Sequence, residues 1–362
     1  MLRRLQSALS YVPVIGYYYA EPEEFDWTTA TIPDYDELPP FKNMPGCAWG
    51  VWGAEDQLGT VNLLSEKAVK VAAKEEIRSG KCISLNWPLN FPDKPAFHRR
   101  TPEIKMTRMT EPAHFHGIRD DEIHINTQSG TQWDGLRHFP ILEHQVFYNN
   151  TPMDSLPIGI MPIPDPKVID PAHSRIGVQN WAQHGICGRG VLLDLVSHFT
   201  AKDGSLAYNP WTTHNFTTAD LQACAKAQGV KFRRGDILLI RGGWIKEYYE
   251  TSQEGRDSVA HTPEAFAGIE ACEDMKRFLW NNHFSAVASD QPALEAFPPA
   301  EGVIHLHQTL LGLWGMPIGE FFDLEALSKV CAETGRYTFF FSSWPLNIIG
   351  GCASPPNAAA YF

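Results

Sequence analysis

Basic residues are in short supply in this chain of 362 residues: Lys and Arg number 30 against 42 Asp and Glu, a formal net charge of -12. Nucleic acid is therefore an unsuitable partner, because phosphate binding needs a basic surface. No stretch reaches the roughly 18 uninterrupted apolar residues of a membrane span, so no membrane partner is expected. Cysteine is sparse and scattered: Cys47, Cys82, Cys187, Cys224, Cys272, Cys331 and Cys352 form no C-x-x-C pair. They read as free, mostly buried thiols of a reducing, cytoplasmic setting, and none sits where a catalytic thiol would be recognised. Charged residues make up only 20% of the chain, which argues against long disordered stretches. Internal repeats and low-complexity segments are absent too. What is there, at 43% hydrophobic content, can bury a large core.

The first 46 residues stand apart from the rest. Arg3 and Arg4 precede a moderately apolar run, but Pro13, Gly16 and Tyr17, Tyr18 and Tyr19 interrupt it, which weakens a targeting segment. Leu2, Leu5, Leu9 and Val12 suit a short amphipathic helix instead. The Pro- and acid-rich run at 21–45 reads as an extended arm that can lie on a neighbouring subunit. Residues 1–46 are thus taken as an extension and 47–362 as a single catalytic domain.

Beyond it, helical and strand-like patterns alternate. Ser65 is a cap for a helix at 66–77 that Gly80 ends, and Thr217 or Thr218, with Asp220 following, caps one that runs to Gln228 and ends at Gly229. A further helix is expected at 269–280, and Asp323 caps a last one at 324–333. Buried strands are expected at 190–196, 236–241 and 284–289, and closing strands at 337–342 and 346–349. This alternation points to an α/β domain.

The stretch most suggestive of chemistry is Gln128 to Phe139, QSGTQWDGLRHF. If it runs extended, alternate side chains share a face, so Gln128, Gln132, Asp134 and His138 converge while Trp133 turns to the other side. Amide oxygen, carboxylate and imidazole facing one cavity can hold a divalent ion and leave a histidine free to move protons, given further ligands from elsewhere. The plainer alternative is a solvated polar edge followed by a core histidine. His114, His116 and His124 precede the stretch and are commoner as loop histidines than as site residues.

The stretch resembles the signature of the cyclase family of metal-dependent hydrolases, which includes bacterial kynurenine formamidase and isatin hydrolase. In the family's H-x-G-T-H-x-D-x-P-x-H pattern, Gly130, Thr131, Asp134 and His138 match, whereas Gln128, Gln132 and Leu136 replace the two first histidines and the proline. The chain thus looks like a variant branch. Four other segments are similar to family motifs: Trp49-Gly50 with Asp56 to Thr60 and Asn62-Leu63-Leu64; Gly235 to Trp244; His307 with Leu310, Leu311 and Glu320; and the tail from Pro345 to Gly351 with Ser354-Pro355. The resemblance implies the swivelling β/β/α fold, in which curved mixed sheets with flanking helices surround a metal site.

It implies a site as well. Asp134 carries over as a metal ligand, Gln132 and Gln128 as amide-oxygen ligands, His307 as a further ligand, His138 as the proton carrier, and Glu320 as a catalytic group or one that orients His307. His305, two residues before His307, is a further candidate, and Trp133, Phe139, His305 and Trp244 are the candidate substrate contacts, although alternation sends Trp133 into core. Phe115 adds to the aromatic complement. Replacing imidazole by amide oxygen makes the site harder, so one divalent metal ion is expected, Mn²⁺ ahead of Zn²⁺. The implied activity is an arylformamidase-like hydrolysis of an amide, formamide, lactam, cyclic imide or lactone, on a small-molecule substrate that is aromatic or cyclic, in a homodimer or homotetramer. A lyase or cyclase working through an enolate is the alternative, and so is a degenerate binding protein without metal.

Overall fold

The computed structural model describes Asp26 and residues 29–109, 111–112, 116–260 and 263–362. The helix expected near the N-terminus, His114 and Phe115 lie outside them. Nine strands form a curled mixed sheet in the order Cys82–Ser84, Ala358–Tyr361, Thr338–Ser343, Ile186–Asp194, Ile237–Arg241, Ala286–Ser289, Ile318–Glu320, Gln132–Asp134 and Ala353–Ser354. The four central strands, from Ile186–Asp194 to Ile318–Glu320, run parallel to one another, and the flanking pairs are antiparallel. Covered on both faces, the middle strands are apolar without alternation: Val191 to Leu193, Ile237 to Ile240 and Ala286 to Ala288 are all buried. The α/β architecture with a curved mixed sheet and flanking helices is the one the alternation and the resemblance imply.

Local signals set the helices. Ser65 Oγ accepts from Ala68 N at the start of Glu66–Glu76, and Thr217 and Asp220 close a reciprocal capping box before Thr218–Ala227. Two expectations need correcting. The helix expected from Ile269 starts at Glu273, because Ala267–Ile269 is claimed by parallel pairing with His214–Phe216. Residues 346–349 form no strand; the chain turns there and strands resume at Ala353–Ser354 and Ala358–Tyr361. The arm packs, from Ile32 on, against its own chain, with the Tyr35 hydroxyl donating to Glu273 at 2.8 Å and Trp280 Nε1 to Pro33 O at 2.8 Å.

The segments that resemble family motifs are mostly scaffolding. Asp56 accepts from Leu58 N, Gly59 N, Asn62 and the Tyr148 hydroxyl, and Gly59 packs so closely on Gly315 that a Cβ would sit 2.0 Å from its carbonyl oxygen. Gly315 caps Gln308–Trp314, a buried π-helix whose first turn follows His307 directly. The opening motif therefore fixes the element that presents His307. In Gly235 to Trp244, Arg189 bonds Asp236, Arg241 bonds Asp194 and Glu325, and Gly242 N and Gly243 N donate to Asp290.

Candidate metal centre

Strand alternation does the first step of assembly, over a shorter span than expected. Only Gln132–Asp134 is strand, and Gln132 and Asp134 project to one face while Trp133 points away. Beyond Asp134 the backbone turns, with His138 N donating to Gly135 O at 2.9 Å, and this turn, not an extended run, brings His138 back beside Asp134. The neighbouring antiparallel strand pairs Glu320 with Gln132, so the Gln132 amide Nε2 donates to Glu320 Oε2 at 2.6 Å. Gln128 lies before the strand and gives its amide nitrogen, not its oxygen, to Asp134 Oδ1 at 2.6 Å.

His307 completes the centre from across the sheet. Its Nε2 lies 3.5 Å from Asp134 Oδ2 and 3.2 Å from Glu320 Oε1, while its Nδ1 donates to both oxygens of Glu295, at 2.9 and 2.8 Å. His138 Nε2 lies 3.7 Å from Asp134 Oδ2. One ligand atom from each of Asp134, His138 and His307 falls within 4.8 Å of the others. Two buried oxygens at this point have no hydrogen-bond partner, Gln132 Oε1 and Asp134 Oδ2. Leaving such atoms unpaired costs about 1–3 kcal/mol each, and a cation seated among them would remove that cost.

The charge distribution agrees. Burial disfavours ionised Asp134, yet His138, His307 and Arg99 hold its carboxyl below the usual range. Glu295 is likewise opposed by burial but held well down by His307 and His305. Burial, and then the Asp134 charge, push Glu320 up to about 7. Desolvation alone would keep the His307 ring neutral, but the carboxylates of Glu295, Asp134 and Glu320 raise its pKa well above the ordinary value. Burial lowers His138, with Asp134 opposing and His307 and Arg99 adding to the fall. Three buried carboxylates around one imidazole make a place where positive charge is stabilised, and the residues fit a divalent ion.

A cavity of about 160 Å³ opens onto this centre, walled by Phe97, Phe139, Phe297 and Ala293, with Arg99, His138, Glu295, His305, His307 and Glu320 as its polar lining. Phe139 and His305 thus stand where substrate contacts were expected. The other two aromatic candidates do not. Trp133 is wholly buried in core against Phe322 and Phe341, its Nε1 donating to Ser343 Oγ, and Trp244 lines a separate cavity of about 340 Å³ with Trp211, Tyr248 and Phe321. His116 and His124 are exposed. Sequence reasoning missed Glu295 and Arg99, which lie in loops with no motif and no periodicity to mark them.

A family model described as Cyclase matches residues 57–296. Among solved structures, a crystal structure of a novel cyclase is 30% identical, covering 87% of this chain and 99% of its own length with a TM-score of 0.73. Isatin hydrolase A from Ralstonia solanacearum is 15% identical, with 77% of this chain and 91% of its own covered and a TM-score of 0.50, a likeness of fold. No curated protein matches.

Proposed function

From the premise that this chain belongs to the cyclase family, we propose that it is a metal-dependent hydrolase that opens an amide, formamide, lactam, cyclic imide or lactone bond of a small, flat substrate. The observation that carries the reading is the pair of unpartnered buried oxygens, Gln132 Oε1 and Asp134 Oδ2, set beside the two imidazoles of His138 and His307. Asp134, His307 and Gln132 would hold one divalent ion, Mn²⁺ ahead of Zn²⁺ because two of the three donors are oxygens. When bound, the ion would supply Lewis acidity that polarises a carbonyl and acidifies water.

The protein's own groups supply the rest. His138, lining the cavity with its ring kept neutral by burial, accepts the proton of the attacking water at Nε2 and returns it to the leaving nitrogen or oxygen. Glu320, with its carboxyl raised to about 7, takes the Gln132 amide proton bond on one oxygen and faces His307 with the other, and so fixes both side chains. Phe139 and Phe297 provide apolar walls for a ring.

The test is elemental analysis of the full chain purified without chelators, beside Asp134→Ala, followed by a screen of formamides, lactams, imides and lactones. About one Mn²⁺ or Zn²⁺ per chain, lost in the variant, with turnover that His138→Ala abolishes while still folded, is the expected result. A wild type that takes up no metal after resupply overturns the proposal.

A homo-oligomer is part of the same reading. The two-stranded hairpin of Glu103–Arg108 and Arg119–His124 is solvated on both faces, and Ile158, Ile160 and Ile163 are almost fully exposed, as surfaces waiting for a second copy would be. Light scattering giving a monomer mass at micromolar concentration would remove it.

A further inference from the structure

Resting on that reading of the cavity, we infer that Arg99 recognises a carboxylate carried by an aromatic substrate, and so sets the substrate class. Arg99 is half-buried in the wall of the same cavity that contains His138, His305 and Glu320. Its charge bears on Asp134, His138 and Glu320 alike.

The guanidinium is held but not saturated. Nη1 donates to Gln128 O at 2.7 Å, the backbone at the head of the signature stretch, and the guanidinium carbon lies 5.1 Å from the centre of the Phe97 ring. Among the described residues these are its contacts, and it forms no ion pair with a carboxylate there. Other buried arginines are used up by the protein. Arg137 donates from all three of its nitrogens to backbone carbonyls, and Arg241 bonds both oxygens of Glu325 as well as Asp194. An arginine carries five N–H donors in a planar fork, and among the described residues only the one at Nη1 of Arg99 is given to a protein acceptor.

A partly desolvated fork with donors to spare suits an oxyanion, and a flat carboxylate gripped by two parallel hydrogen bonds is the one that a cavity of about 160 Å³ can hold beside an aromatic ring. The rest of the cavity narrows the choice further. Phe97, Phe139 and Phe297 line it with aromatic rings and Ala293 with a methyl group, none of which can bond a polar substituent. A benzenoid ring between the phenylalanines, with an anionic substituent on Arg99 and the scissile carbonyl toward Asp134 and His307, uses each wall for what it can do.

The decisive measurement is titration calorimetry on the full chain treated with chelator, so that no metal can take the anion, with benzoate and benzamide as probes of the same size and opposite charge state. Benzoate is expected to bind about tenfold or more tightly than benzamide, Arg99→Ala to erase the difference, and Arg99→Lys to restore part of it, since lysine keeps the charge but not the fork. Circular dichroism on each variant confirms that it is folded. Equal affinities in the wild type, or a benzoate preference that survives Arg99→Ala, overturn the inference. A second arm compares metal-loaded turnover of formanilide with that of its ortho-carboxylate, whose ratio of kcat/KM should fall toward one in Arg99→Ala. Turnover of aryl amides without any Arg99-dependent preference would sink this inference alone. Arg99-dependent benzoate binding with no turnover of any amide or lactone would leave it standing and sink the hydrolase reading.

Discussion

His307 gives its Nδ1 proton to both carboxylate oxygens of Glu295, at 2.9 and 2.8 Å, and this fixes its Nε2 toward Asp134 and Glu320. The two are 12 residues apart in the chain and both are buried. A carboxylate on the far nitrogen of an imidazole sets its tautomer and makes the near nitrogen a better donor to a metal. Glu295→Gln is therefore expected to weaken divalent-ion binding about 10–100-fold, with Mn²⁺ or Zn²⁺ titrated against a competing chelator. An unchanged dissociation constant would mean that Nε2 is not a ligand atom.

How far this centre can be read from sequence depends on the distance over which each residue is positioned. Gln132 and Asp134 follow from two-residue alternation, and the direction of Trp133 follows with them. The limit of that alternation was not legible. The strand ends at Asp134 and the chain turns, with Gly135 so close to the backbone of Cys352 that a Cβ would come 2.6 Å from the carbonyl oxygen its N–H bonds. Glu320 reaches Gln132 only through the register of Ile318–Glu320 on Gln132–Asp134, a pairing of residues nearly two hundred positions apart that no local pattern encodes. Glu295 and Arg99 sit in loops, where side-chain direction depends on tertiary contacts. The helix capped by Ser65 and the one capped by Thr217 were legible because their signals are contained in a few consecutive residues.

Trp133 separates core from site. It sits between two residues of the centre yet touches Phe322, Phe341 and Ser343 on the opposite face. Trp133→Ala should cost about 3–5 kcal/mol of stability by opening a cavity. Trp133→Phe should cost less, about 1–3 kcal/mol, chiefly by leaving Ser343 without its donor. Urea unfolding reads the cost, and the KM of Trp133→Phe for whichever substrate is found should match the wild type. A changed substrate preference would place the indole at the cavity after all.

Asp194 gives stability a defined dependence on pH. Burial opposes its charge, but Arg241, Ser328 and Ser197 hold its carboxyl below 3.8 in the folded protein. A folded pKa below the unfolded one means that the contribution is complete above 3.8 and is lost as pH falls through the folded value. Asp194→Asn leaves Arg241 without one of its buried partners and should cost about 3 kcal/mol near neutral pH. Guanidinium unfolding of both proteins should show the gap closing on acidification below 3.8. A gap that stays constant with pH would show that packing, not charge, accounts for the loss.

Gly319 tests whether the strand carrying Glu320 must lie as close as it does. It pairs with Trp133 across the sheet, and a Cβ there would come 2.4 Å from Ala288 Cβ, 2.7 Å from Phe322 Cε2 and 2.9 Å from Trp133 Cζ3. None of these atoms is the free end of a flexible chain, so the strand itself has to move. Gly319→Ala should cost about 1–3 kcal/mol from overpacking. The shift should also draw Glu320 Oε2 away from Gln132 Nε2, now 2.6 Å distant, and release Gln132 from the orientation that aims its oxygen at the centre. Metal affinity should then fall together with stability, although residue 319 touches no ligand atom. Chelator competition beside thermal unfolding reads both quantities in one preparation. Reduced stability with full metal affinity would show that the Glu320 bond is not what positions Gln132, and would move the ordering of that amide to its own strand.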